Sequence, residues 1–373
     1  MFHTVELKRI ISSKVYNKLL QEIKTYKKPN TKNIRTCTSL SAFGINEVNF
    51  HKDINPKRKY YSYSIHMVLN FQKILNPEQG RLSIYKPKDI HAEYQTIRNS
   101  ILQTFETASL DNELLNIFDI NRNFTVERID TTAQFELDKD IKEFYLKALQ
   151  RGSFPRGEFT PYDKKNKKKR SELIQKTYPK GSVYLISGKY IENGDFEWNK
   201  RVTLNYYDKH EDIKKDLNKY SNSEILRAKK ILRIETQLYK NILSEKDLYS
   251  ILKEHKKIGK LALKFFESVG FRGDYYKLKT AEEIVKEKTR GRKKERLLTT
   301  LEMLNGNNKE SIWRIQELMN RGEGDFCISK EDFNKSLKDL DSLGINPLCL
   351  TKSKFKEEPL PNLGKKIKEY YNI

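Results

Sequence analysis

Between residues 2 and 239, stretches with an apolar side chain at every second position alternate with stretches where apolar side chains recur every third or fourth; from Ser244 only the second pattern remains. Period two belongs to half-buried strands and period 3.6 to amphipathic helices. That switch limits the first part of the chain to an α+β sandwich on an antiparallel sheet, and the remainder to helices alone. The expected organisation is one domain over 1–243 followed by an all-helical domain over 244–373.

The strand signals are spread along the whole first part. Phe2 to Leu7 reads as a strand, and Val15, Leu19, Leu20 and Ile23 as the apolar stripe of a following helix. Tyr60 to Leu69 is rich in aromatic and β-branched residues and predicts a strand that leads into Asn70 to Leu75. Ile90 to Phe118 reads as one long helical pattern. In the strand Phe124 to Phe135 the spacing predicts Val126, Arg128 and Asp130 on one face and Ile129 on the other. Gly181 to Gly188 and Lys200 to Tyr207 pair as a hairpin around the turn Glu192-Asn193-Gly194-Asp195, since Asn-Gly favours tight turns. A final strand spans Ile231 to Tyr239. Beyond it, Ser244 with Asp247 and Thr280 with Glu283 have the spacing of capping boxes, and Arg290, Arg292, Lys293, Lys294 and Arg296 cluster near one helix start. Those helices suit either a DNA-binding module or a packing and dimerisation domain.

Hydrophobic residues at 37% and charged ones at 33% describe a globular chain. Its 73 Lys and Arg against 50 Asp and Glu leave a formal net charge of +23. Such a surplus favours a polyanionic partner through counterion release, against the plainer reading of a lysine-rich surface. Three distant cysteines exclude a zinc ribbon and a disulfide framework and fit a reducing compartment. Charges at Glu6, Lys8 and Arg9 argue against a signal peptide, and no segment reaches membrane-spanning length, so the expected location is cytoplasmic with no membrane partner. The run containing Lys167, Lys168, Lys169 and Arg170 lies in a Pro- and Gly-punctuated stretch; it is either a solvated loop or a track for a DNA backbone.

The chemistry gathers at three short strands. Tyr207 ends one of them, with Lys209, His210, Glu211 and Asp212 just beyond, while Arg128-Ile129-Asp130 and Arg233-Ile234-Glu235 each place an arginine and a carboxylate on one strand face. A tyrosine, a lysine and two carboxylates are the parts needed to cleave a phosphodiester through a phosphotyrosine. Asp130 and Glu235 are the candidate ligands of Mg²⁺ or Mn²⁺, and His66 would tilt the site towards Mn²⁺. Arg128 and Arg233 are the strand arginines expected to meet DNA. The alternative for both Arg and acid pairs is a buried salt bridge. Tyr206 adjoins Tyr207, and strand register decides which of them serves as nucleophile; the position of Tyr206 on the face of Val202 and Leu204 favours Tyr207.

Val126-Glu127-Arg128-Ile129-Asp130, Thr203 to His210, and Leu232-Arg233-Ile234-Glu235-Thr236 together resemble the three ordered motifs of the phage and plasmid rolling-circle replication initiators related to the filamentous-phage replication endonuclease. The resemblance covers roughly residues 55 to 245. It implies an antiparallel-sheet, HUH-like nickase domain that cuts one strand at a replication origin, holds it as a 5′-phosphotyrosine and later rejoins it. It places the family tyrosine on Tyr207 and the family lysine on Lys209, and it aligns His66, in Ile65 to Leu75, with an acidic position. It also implies origin DNA, single-stranded or extruded, as partner, with a host helicase and a second copy of the chain as further partners. No His-x-His pair is present, so the metal site of the broader class is not there in its usual form; Glu211 or Asp212 supplies the carboxylate expected after the tyrosine. Two other readings remain open: a conjugative or mobilisation relaxase with the same chemistry, and a non-enzymatic, sequence-specific DNA-binding protein.

Overall fold

The computed structural model describes residues 1–27, 33–54, 60–80, 82–107, 110–153, 159–161, 182–190, 196–306, 310–350, 355 and 358–373. It is an α+β structure with an antiparallel sheet and many helices. The strands are β1 (Phe2–Ile11), β2 (Tyr26–Lys27), β3 (Ile34–Cys37), β4 (Ile45–Ile54), β5 (Tyr61–Asn70), β6 (Thr125–Glu136), β7 (Phe159–Pro161), β8 (Ser182–Tyr190), β9 (Phe196–Asp208) and β10 (Ile231–Tyr239). Two compact units form, one from Met1–Thr132, Lys200–Val202 and Glu235–Gly259, the other from Ala133–Asn199, Thr203–Ile234 and Lys260–Ile373. The units therefore do not divide at 243/244, where the change of sequence pattern pointed.

In the first unit the strand order is β2-β3-β4-β5-β1-β6-β10. Residues paired across neighbouring strands share a face. Val5 pairs with Leu69 and Ile129, and Leu7 with Met67 and Val126; all are fully buried and form an apolar face with Ile65, Val48 and Phe50. Each such side chain contributes roughly 1.5–3 kcal/mol by leaving water. Helix α1 (Ser13–Glu22) starts at Ser12, whose hydroxyl accepts from the Val15 amide, and sets Tyr16 against Tyr63 of β5. Gly44 turns the chain into β4 at φ +86°, where a Cβ would lie 2.5 Å from the Ile74 side chain. The helical pattern over 90–118 is broken in space. Helix Ile90–Thr107 ends, and a short helix Asn112–Leu115 restarts because the Asp111 carboxylate accepts from the Leu114 amide.

The other face of this sheet is polar. Glu6 pairs with Arg128 and Val68, Lys8 with His66, His66 with Asn49, Ser64 with His51, and Thr4 with Asp130. A bulge makes this separation possible: Leu7 faces Val126 while Glu6 faces Arg128, leaving Glu127 as the extra residue of β6. Val126 is thereby turned into the core, away from Arg128 and Asp130, and the single shared face expected for all three does not exist.

In the second unit the order is β6-β10-β9-β8-β7. The expected hairpin forms, with Val183 opposite Tyr206 and Ser182 opposite Tyr207. Its turn at 192–195 lies outside the described residues. The C-terminal helices Leu278–Lys288, Gly291–Asn305 and Lys330–Ser342 share a core of Ala281, Val285, Leu297, Leu301 and Leu340. They join the rest of this unit directly. The Trp313 indole donates to the Gln150 carbonyl (3.1 Å), and the Tyr145 hydroxyl to that of Pro361 (2.7 Å). Of the basic cluster at 290–296, Arg292, Lys293 and Arg296 reach Asp332 and Asp339 of the facing helix, which favours the packing role for these three.

Candidate active site

Alternation along β1, β5 and β6 sends Glu6, His66, Arg128 and Asp130 to the polar face of the first unit, and these side chains meet. The His66 Nδ1 lies 3.0 Å from Glu6 Oε1 and its Nε2 3.3 Å from the Ser64 hydroxyl. A carboxylate can only accept, so Nδ1 carries the proton that is shared with Glu6. The His51 ring stacks on His66 with centroids 4.0 Å apart. Arg128 lies between the acids, 3.6 Å from Glu6 and 2.9 Å from Asp130, although the second contact lacks the alignment of a hydrogen bond. Glu235 on β10 accepts from the Gln237 amide (3.1 Å), whose oxygen in turn accepts from the Tyr239 hydroxyl (3.3 Å).

The charges here are strongly perturbed. Burial pushes the Asp130 carboxyl up to about 7; Arg128 opposes this, while Glu235 and Glu6 add to it. Burial also raises Glu6, but the His66 hydrogen bond and the Arg128 charge outweigh it and hold Glu6 below its ordinary value. Arg128 is raised because Asp130 and Glu6 together overcome its burial. Burial and the neighbouring His66 take His51 down to about 4. Asp130 Oδ1 is buried and faces the Arg128 Nε at 2.9 Å. Carboxylates are donors that a divalent cation takes. As the side chains stand, no group of three or more His, Cys, Asp or Glu among the described residues converges on a point that could hold one.

The tyrosines belong to the second unit. Tyr206 is fully buried, its ring edge-on to Phe266, and burial pushes its hydroxyl far up. It is a core residue, which rules out the nucleophile role open to it in the sequence. Tyr207, the penultimate residue of β9, is 8% exposed. The Lys209 ammonium lies 5.9 Å from its ring centroid and 2.6 Å from Asp212. Between them Asp208 caps the helix Lys209–Ile213 through the His210 amide, and its second oxygen is 2.6 Å from the buried Lys142 ammonium.

The expected DNA contacts fare unequally. Arg128 keeps part of its surface on the polar face. Arg233 has none: it is fully buried and donates twice to the Gln134 oxygen, at 3.2 and 2.6 Å, so a phosphate cannot reach it. Lys167, Lys168, Lys169 and Arg170 lie outside the described residues. Sequence reasoning passed over Glu6, His51 and Lys142. The first had a signal, because Val5-Glu6-Leu7-Lys8 alternates strictly within the strand read from Phe2 to Leu7 and sets Glu6 on its polar face. Lys142 had none, since a lysine on an amphipathic helix reads as solvated until its partner is placed. No helix of the described residues is long and apolar enough to cross a membrane. Comparison with protein-family models, with curated proteins and with solved structures gives no match.

Proposed function

We propose that this chain is a cation-assisted single-strand DNA nickase that initiates rolling-circle replication at an origin. The observation that carries the reading is the polar sheet face. Glu6 and Asp130 pair with Arg128 beside an imidazole pair, and Glu235 adds to the negative charge that Arg128 meets. The order of the three motifs and the +23 charge support it from the sequence. Asp130 and Glu235, with His66, are the residues that would have to move together to hold Mg²⁺ or Mn²⁺, which would then polarise the scissile phosphate. Tyr207 is the nucleophile. Its phenolic oxygen bonds to phosphorus, the bond from phosphorus to the 3′ oxygen breaks, the phenolic proton goes to a base, and the 3′ oxygen takes up a proton. Lys209 places its ammonium 5.9 Å from the centre of the Tyr207 ring. Origin DNA, single-stranded or extruded, is the substrate, with a host helicase and a second copy of the chain as further partners.

A 3′-labelled single strand carrying the origin, incubated with Mn²⁺ or Mg²⁺, tests this on a denaturing gel. Wild type should give a covalent protein–DNA adduct that Tyr207→Phe abolishes, and Asp130→Asn should cut its yield at least roughly 100-fold. A wild-type chain that binds the origin tightly and yields neither adduct nor nick would point to the competing reading, a non-enzymatic DNA-binding protein. The contacts of Arg128 with both Asp130 and Glu6 are what favour that alternative. A relaxase would form the same adduct at a transfer origin instead.

A further inference from the structure

The ends of β4 and β5 carry a second surface that the candidate site does not use. Lys52 pairs with Tyr63 and Ile54 with Tyr61, so these four side chains share one face of the sheet. It is the face of Phe50 and Ile65, opposite to His51 and His66. Near the core this face is covered, with Tyr63 lying against Tyr16 of α1, ring centroids 4.9 Å apart. Towards the strand ends the cover stops: Tyr61 is 50% exposed and Ile54 56%. The Lys52 ammonium lies 4.3 Å from the Tyr61 ring centroid and 6.0 Å from that of Tyr63, and the two rings are 6.4 Å apart. Arg35 of β3, paired with Phe50, and Lys27 of β2, paired with Arg35, add positive charge on the same face.

An exposed aromatic ring beside a cation has a specific complement. An unpaired nucleic-acid strand offers a base face to the ring and a phosphate to the ammonium. Double-stranded DNA keeps its base faces stacked inside, and a purely electrostatic track would have no use for the rings. We propose that Tyr61, Lys52 and Ile54, flanked by Tyr63 and Arg35, form a stacking platform for single-stranded nucleic acid on the sheet face opposite the candidate active site. The ligand class rests on the nucleic-acid reading above. The platform would hold strand that is not being cut, and it would read no sequence, since every base has a π-face.

Fluorescence anisotropy with a labelled oligothymidylate and with a duplex of equal length, both without divalent metal so that no strand is cut, tests the platform. Tyr61→Ala should weaken oligothymidylate binding roughly 5- to 100-fold and leave duplex binding nearly unchanged, while Tyr61→Phe, which keeps the ring, should bind within about 2-fold of wild type. Lys52→Ala should lower the salt dependence of oligothymidylate binding by about one unit of slope. Tyr61 is a surface side chain, so circular dichroism of these variants should match wild type. Unchanged oligothymidylate affinity in both Tyr61→Ala and Lys52→Ala overturns the inference, as does an equal loss for duplex. So does a dimer that Tyr61→Ala dissociates without loss of oligothymidylate binding, because the patch would then join two copies of the chain. The outcome is separable from the nickase reading. A chain that binds as described but forms no adduct at Tyr207 loses only its proposed chemistry; one that forms the adduct and binds normally as Tyr61→Ala loses only the platform.

Discussion

Asp119 shows how a buried carboxylate can be kept charged. Both of its oxygens receive the Arg98 guanidinium, at 2.7 and 2.8 Å, and one also accepts from the Asn121 amide. The Arg98 hydrogen bonds outweigh burial and hold its pKa below the ordinary value. With the folded pKa below the unfolded one, the group's contribution is present above about pH 4 and is lost as pH falls through the folded value. Asp119→Asn should therefore cost on the order of 1–3 kcal/mol at neutral pH, and should flatten the decline of the urea midpoint between about pH 5 and 3 relative to wild type. A decline equally steep in both would show that other carboxylates govern acid sensitivity. At this scale the sequence was legible for Tyr206, whose phase matches the apolar Val202 and Leu204. It misled for Arg233, because Arg-x-acid is spelled alike in β6 and β10. The difference lies in the neighbours: Ile231 and Leu232 are apolar at both phases, the mark of a strand covered on both sides, and every residue from Ile231 to Thr236 is buried.

Most elements could be read from the chain because half-buried strands write their two faces as alternation. The bulge at Glu127 could not, since it is a property of the pairing between β1 and β6 and leaves no residue-type signature. Its function is nevertheless definite, because it lets Val126 enter the core while Arg128 and Asp130 stay on the polar face. Two deletions separate register from local contact. Removing Glu127 leaves Leu7 facing Val126 and Glu6 facing Arg128, so it should cost on the order of 1–3 kcal/mol and preserve the fold. Removing Ile129 instead sets Arg128 opposite Val5 in the apolar core, which should prevent soluble folding. Thermal unfolding followed by circular dichroism distinguishes them; similar behaviour of the two deletions would refute the register argument.

For the molecule as a whole, the expected boundary at 243/244 was a change of pattern and not a seam in the packing. Residues 244–259 belong to the first unit, where Leu248, Ile251 and Leu252 are buried, and 260–373 belong to the second, where Phe266 meets Tyr206. A chain cut after Leu243 should therefore bind hydrophobic dye and lose slow amide exchange in both parts, as measured by dye fluorescence and hydrogen exchange; a truncated 1–243 with native-like protection in β1, β5 and β9 would contradict this. The polypeptide passes from one unit to the other at 132/133, 199/200, 202/203, 234/235 and 259/260. In genetic terms no single crossover between two such genes can exchange one unit intact.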